Sequence, residues 1–180
     1  MKKLGFVLLL MVILSAGAFA QHPEGQWGLG IKYQHHLDWD GFGGSWGGAF
    51  TLKAPQLPIF WGLNLRIENN LFGLTATGDY YFLNNRLLDE ANFGWYLGFG
   101  AYAGFWHSSW KALDQSYSWN AIHLGGRVPV GVYFFPIEFF EVFFGVIPSV
   151  GLSMYFGDFD DNFRFPDGNL GFEIGFRFWF

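Results

Sequence analysis

Asn169-Leu170-Gly171-Phe172-Glu173-Ile174-Gly175-Phe176-Arg177-Phe178-Trp179-Phe180 is the stretch whose reading decides the fold. Taken every second residue, it separates into two sets. Leu170, Phe172, Ile174, Phe176, Phe178 and Phe180 are large and apolar. Asn169, Gly171, Glu173, Gly175, Arg177 and Trp179 are small, charged or able to hydrogen-bond. A period of two is the repeat of an extended strand, whose successive side chains point to opposite faces. An unbroken row of large apolar side chains needs a cover. A second sheet layer would serve, and so would lipid.

The same alternation recurs upstream. Residues 27–35 set Trp27, Leu29, Ile31 and Tyr33 against Gly28, Gly30, Lys32 and Gln34. Residues 45–53, 59–68 and 71–83 repeat the split, the last with Phe72, Leu74, Ala76, Tyr80 and Phe82 against Thr75, Thr77, Asp79 and Tyr81. Residues 93–106 set Phe93, Trp95, Leu97, Phe99 and Phe105 against Gly94, Gly98, Gly100 and Gly104, with Tyr96 and Tyr102 on the glycine face. Residues 119–134 and 139–155 follow, and residues 169–180 make the eighth strand. Each has about ten residues or more, and a tilted membrane strand requires ~9–11. The connections at 38–44, 107–118 and 158–168 read as longer polar loops at one end of the strands. Pro129 and Pro148 fall inside strands, where a proline removes a ladder donor, and predict a bulge that would reverse the parity beyond it.

The first residues fix the compartment. Lys2 and Lys3 precede an apolar run from Phe6 to Leu14, and Ala18-Phe19-Ala20 offers a small-x-small cleavage site. Residues 1–20 therefore read as a secretory signal peptide, with residues 21–180 as the mature domain. Two of the 10 Lys and Arg lie in this leader, so the mature chain holds 8 against 15 acidic residues, a net charge of −7. Such a balance argues against nucleic acid as a partner. There is no cysteine, which excludes disulfide scaffolds and thiolate metal sites. Aromatic residues make up 23% of the chain and charged residues only 14%, with 26 glycines. A soluble sandwich or a lipocalin-like barrel would carry many charges on its polar face. Here that face is mostly Gly, Ser, Thr and Asn. Lipid is the better cover, and the expected fold is an all-β, eight-stranded antiparallel up-and-down transmembrane barrel.

In a barrel of this size the polar face points into a lumen just wide enough for side chains to fill. Lys32, Lys53, Arg66, Arg127 and Arg177 then oppose Glu68, Asp79, Glu141 and Glu173, a nearly balanced set that should pair across strands. Such a set can hold a barrel together or line a narrow conduit, and the first reading is favoured. Trp27, Trp61 and Trp95 near one end of the strands, and Trp46, Trp106 and Trp119 near the other, are expected to form two aromatic belts.

Glu173-x-Gly175-x-x-Phe178-x-Phe180 resembles the C-terminal signal by which outer-membrane barrels are recognised by their assembly machinery. By strand pattern the mature chain is similar to the small eight-stranded outer-membrane barrels of the OmpA-domain, OmpX and OmpW type. Gly78-Asp79-Tyr80-Tyr81, Gly126-Arg127-Val128-Pro129 and Gly175-Phe176-Arg177-Phe178-Trp179-Phe180 resemble a group of spirochaetal barrels. The resemblance implies outer-membrane lipid and the assembly machinery as partners, a monomer, no cofactor, and a surface that meets an extracellular ligand.

Phe105-x-His107-x-Ser109 resembles the His-x-Ser pair of lipid A deacylase barrels. Trp110-Lys111 stand where that family has Asn-Ala, and no acidic orienter can be assigned. Asp158, Asp160 and Asn162 imitate the start of a calcium loop, but Phe163 replaces the required glycine and Asn169 the bidentate glutamate. His35, His36, His107 and His123 would make a metal site only if the fold gathered them. The sequence thus points to an outer-membrane barrel with a structural or surface-interaction role and no catalytic activity. Passage of small solutes through the lumen is the alternative, and lipid A modification a more distant one.

Overall fold

The computed structural model describes residues 22–23, 25–38, 44–68, 70–88, 92–112, 115–158 and 162–180, so the signal peptide at 1–20 lies outside the described residues. The strands are β1 (Gly28–Asp38), β2 (Gly44–Lys53), β3 (Ile59–Glu68), β4 (Leu71–Leu88), β5 (Phe93–Ala112), β6 (Gln115–Arg127), β7 (Val130–Ile137), β8 (Phe140–Gly157) and β9 (Asn162–Trp179). Each is antiparallel to the strands it pairs with. The ring is closed by β4 on β5 and by β9 on β1. At the seam Trp27 N donates to Phe180 O at 2.8 Å and Phe180 N donates to Trp27 O at 3.0 Å. A closed ring leaves no row of unpaired backbone groups, the condition for crossing lipid with strands.

Nine strands stand where eight are expected. The extra one is the predicted sixth strand, divided at Val128–Pro129 into β6 and β7. The predicted bulge is absent there. Arg127 lies opposite Gly100 and Ser149, and Val130 opposite Leu97 and Val146, so the register continues unshifted on both sides. Gly98 N donates to Pro129 O at 2.9 Å, and Val128 N donates to Pro148 O at 2.9 Å. In each pair the return bond is missing because proline has no N–H. Each proline thus costs one ladder bond and leaves the parity intact: Arg127 and Tyr133 are buried while Val128 and Val130 are exposed.

The irregularities lie elsewhere, at Tyr81/Leu83 and Arg86/Leu88 between β4 and β5, at Phe134/Ile137, and at Gly151/Ser153. The first has a consequence inside the barrel. Tyr81 packs against the buried core and Asn84 is also buried, a pairing of odd and even positions that only a bulge permits.

The expected loops are corrected too. Residues 107–118 are mostly strand, with β5 running to Ala112 and β6 starting at Gln115. In place of the 158–168 loop β9 begins at Asn162, and β1 runs on to Asp38. The connections at this end are therefore short, and the β5–β6 and β8–β9 hairpins project as strands. At the opposite end, where Trp27 pairs with Phe180, β4 runs to Leu88, and Asn92 just before β5 has a φ of 48°, which suits an asparagine.

The apolar rows face outward. Leu29, Ile31, Phe50, Leu63, Ile67, Phe99, Phe144, Ile174 and Phe178 are all exposed, Ile67 at 69% and Phe50 at 66%. The polar rows face inward, where Lys32, Asp79, Arg127, Glu141, Glu173 and Arg177 are each at most 6% exposed. This is the inverse of a soluble domain and suits a lipid wall around a polar lumen.

Candidate functional site

The lumen has two parts. The half nearest the Trp27–Phe180 seam is packed solid. Phe60, Tyr96, Tyr133, Phe135, Phe143 and Trp179 form a buried cluster with Tyr81 against it. Tyr81 stacks on Phe60 and Tyr96 with ring centroids 4.3 and 4.4 Å apart. The tyrosines fit because glycines face them. A Cβ on Gly131 would lie 2.4 Å from the Tyr96 ring, and one on Gly94 would lie 2.2 Å from the Tyr133 ring. This explains why Tyr96 interrupts a glycine face: the interior volume is shared between one large residue and several residues with no side chain.

Through this aromatic packing runs an ion pair. Arg177 Nη1 donates to Glu141 Oε1 at 2.8 Å, Trp179 Nε1 donates to Glu141 Oε2 at 2.8 Å, and Arg177 Nε donates to Thr51 Oγ1 at 3.1 Å. The guanidinium lies 3.9 Å from the Phe143 ring centroid and 4.9 Å from that of Phe60. Cation–π contact on both sides compensates part of its lost hydration. His22 enters from the lead-in to β1. Its Nε2 is 3.1 Å from Glu141 Oε1, its Nδ1 meets Asn84 Nδ2, and its ring centroid lies 4.6 Å from that of Tyr133. The segment before β1 thus stops the end of the lumen. His22 sits in a stretch without periodicity, and no sequence signal marks it.

Above this floor lies a second ionic group. Lys32 Nζ donates to Glu173 Oε2 at 2.8 Å, and Gln34 Nε2 donates to the same oxygen at 2.9 Å. Arg127 Nε stands 2.9 Å from Asp79 Oδ1, and Arg127 Nη2 stands 3.9 Å from Glu173 Oε2. Six of the nine expected lumen charges therefore fall into two groups, Arg177–Glu141 and Lys32–Glu173–Arg127–Asp79. Lys53 Nζ donates to Ala54 O at 2.8 Å and lies 5.9 Å from the Phe60 ring centroid, and the Arg66 guanidinium lies 5.3 Å from the Trp106 ring. The Glu68 side chain is outside the described residues.

The other half of the lumen is a vestibule of about 330 Å³. Gln34, Thr77 and Arg127 lie at its base, and Trp119, Tyr155 and Arg164 at its rim. His123 Nδ1 is 2.6 Å from Ser153 Oγ, and Ser153 Oγ donates to Asp167 Oδ2. A hydroxyl, an imidazole and a carboxylate touch here, but not as a catalytic triad. The serine proton goes to the aspartate, and serine and aspartate approach the same ring nitrogen, with Asp167 Oδ2 3.8 Å from Nδ1. A triad needs one on each nitrogen.

Trp27, Trp46 and Trp61 are exposed on the wall, and Trp95 lies on the same outward face of β5 as exposed Phe99. Trp106 and Trp119 do not belong to a belt. They face the vestibule, Trp106 with its ring centroid 4.8 Å from that of His123 and Trp119 5.7 Å from that of Tyr155. The strands run past both, so parity and not strand ends sets their direction. Of the assembly-signal residues, Glu173 points inward, a Cβ on Gly175 would meet Phe143 and Lys32, and Phe178 and Phe180 are exposed. The four histidines are not gathered: His36 and His123 line the vestibule, while His107 meets Asn120 Oδ1 at 2.9 Å near the β5–β6 hairpin. Among the described residues no group of three or more His, Asp and Glu could hold a metal ion. Asp158 accepts from Ser118 N at 2.6 Å and so ties β6 to the end of β8.

No protein-family model and no curated protein matches the sequence. Among solved structures, the chain is similar to a major outer membrane protein from Thermus thermophilus, at 10% identity and a TM-score of 0.53 over 86% of this chain and 99% of that one. It also matches Ail, the attachment invasion locus protein of Yersinia pestis, at 16% identity and a TM-score of 0.46 over 88% and 100% of the two chains. Neisserial surface protein A matches at 12% identity and a TM-score of 0.46 over 87% and 100%. The likeness is one of fold: the chain has the fold of the small outer-membrane β-barrels.

Proposed function

We propose that this chain is a non-conducting, non-enzymatic protein of a bacterial outer membrane, in which a barrel with a filled lumen anchors two projecting hairpins and the vestibule between them. The end where Trp27 pairs with Phe180 faces the periplasm, and β5–β6 and β8–β9 project outside. The strand that carries Glu173, Gly175, Phe178 and Phe180 serves as the address for the assembly machinery. The observation behind the reading is the filled floor: Tyr96, Tyr133, Phe143, Glu141 and Arg177, all at most 1% exposed, occupy the cross-section that a solute would have to cross. Moving a solute past them would require breaking a buried ion pair, at a cost of about 3–5 kcal/mol, together with the aromatic packing. The alternative of a solute conduit is therefore not favoured.

The test is conductance across a planar bilayer of protein that displays heat-modifiable gel mobility. The expected outcome is a silent membrane. Steady single-channel current from the folded protein would overturn the non-conducting reading.

A further inference from the structure

His22 is a core residue that no strand carries. The backbone ladder begins at Trp27, which pairs with Phe180, and β1 begins at Gly28. Before that point Gly25 and Gln26 are exposed, yet His22 is only 6% exposed. The chain therefore turns back from the rim into the mouth of the barrel. Gly25 makes the turn, with a φ of 71° that an L side chain rarely adopts. A Cβ there would meet nothing within 4 Å, so backbone conformation and not space calls for glycine at this position.

The pocket that receives His22 addresses every part of an imidazole. Glu141 is paired with Arg177 and accepts from Trp179, so its carboxylate can only accept from a further partner. His22 Nε2, 3.1 Å from Glu141 Oε1, therefore carries a proton and donates. In the neutral ring Nδ1 is then the acceptor, and Asn84 Nδ2 donates to it. The faces of the ring are covered as well. The ring centroids of Tyr133, Phe60 and Trp179 stand 4.6, 5.0 and 5.6 Å from that of His22. Aromatic walls of this kind suit a flat heteroaromatic guest. Phe60 comes from β3, Asn84 from β4, Tyr133 from β7, Glu141 from β8 and Trp179 from β9. The sheet thus builds the whole pocket, and the lead-in supplies only what fills it.

We propose that the lead-in to β1 is a hinged stopper, and that the floor of the lumen holds an imidazole-binding site which His22 occupies in cis. Gly25 is the hinge and the His22 ring is the head. The class of ligand is a planar ring with an N–H donor and a ring-nitrogen acceptor in a 1,3 relation. With the stopper out, Tyr96 and Phe143, both at most 1% exposed, still fill the cross-section, and the barrel stays closed to solutes. Stability, not current, therefore reports on the stopper, and the side of the membrane that this end faces does not enter.

The experiment is chemical rescue in lipid vesicles. Denaturant unfolding is measured at pH 7 for the heat-modifiable protein, for His22→Ala and for His107→Ala, each with and without free imidazole. His22→Ala should lower the folded-to-unfolded ratio about 10–100-fold. Imidazole should restore most of that loss saturably, and should leave the unaltered protein and His107→Ala unmoved. 1-Methylimidazole, which has one nitrogen blocked, should restore less. Gly25→Val should lower the ratio about tenfold by itself and no further in the His22→Ala background, because the turn serves to seat the ring. If His22→Ala does not fold, refolding it in imidazole should return the heat-modifiable band. No loss in His22→Ala, a loss or a folding failure that imidazole does not reverse, equal rescue by 1-methylimidazole, or additive effects of Gly25→Val and His22→Ala would each overturn the proposal.

Discussion

The two halves of the lumen are built from the same alternating strands, yet one is full and the other open. In the floor, glycines on one strand meet large rings on the next. Gly131 and Gly145 face Tyr96, and Gly94 faces Tyr133. The charges are matched there by position as well as by number, since Arg177 has its carboxylate, a hydroxyl and two ring faces within reach. In the vestibule amides, hydroxyls, imidazoles and charged side chains surround an open space of about 330 Å³, with Trp106 and Trp119 beside them. Period-two alternation thus decides inside from outside. Whether the inside is filled depends on cross-strand size matching, which alternation does not encode.

The sharpest way to break this comparison is to remove one partner of a buried pair from each half. Glu141→Ala strands Arg177 in the aromatic floor and should destabilise the folded barrel by about 3–5 kcal/mol. Asp167→Asn in the vestibule, where the Asp167 side chain is 27% exposed, should cost about 1 kcal/mol or less. Denaturant unfolding of both variants in lipid vesicles measures the difference, and equal costs would erase the distinction between floor and vestibule. A smaller effect tests size matching alone. A Cβ on Gly131 would sit 2.4 Å from Phe144 O and from the Tyr96 ring, so Gly131→Ala should cost about 1–3 kcal/mol. At Gly47, which lines the vestibule, the nearest atom to an added Cβ is Leu65 O at 3.3 Å, and Gly47→Ala should cost about 1 kcal/mol or less by the same unfolding measurement.

Much of this is legible in the sequence because lipid allows few solutions. The faces of residues 169–179 in β9 and of residues 121–127 in β6 follow their alternation, and parity names the inward charges. Trp106 and Trp119 are legible in the same way, since Trp106 shares parity with Gly104 and Trp119 with His123. Treating them as belt residues gives more weight to apparent strand ends than to the pleat, and the strands in fact continue into the hairpins. A disturbance at Pro129 is foreseeable but its form is not, because a proline that costs one bond and one that shifts the register look alike in sequence. His22 is illegible: a histidine in an aperiodic lead-in gains its place only from Glu141 and Asn84, far along the chain. The Ser153–His123–Asp167 contact is hidden because residues 158–168 resemble a solvated loop, whereas β9 already holds Asp167 across from Gly151.

The most direct test of the account is quenching of single-tryptophan variants in lipid vesicles, with brominated lipid as one quencher and acrylamide as the other. Trp61, 44% exposed on the wall, should be quenched by the lipid; Trp106, facing the vestibule, by acrylamide alone; and Trp179, 3% exposed beside Arg177 and Glu141, by neither. Quenching of Trp179 by acrylamide as strong as that of Trp106 would contradict a filled floor, and quenching of Trp179 but not Trp61 by brominated lipid would contradict the assignment of wall and lumen.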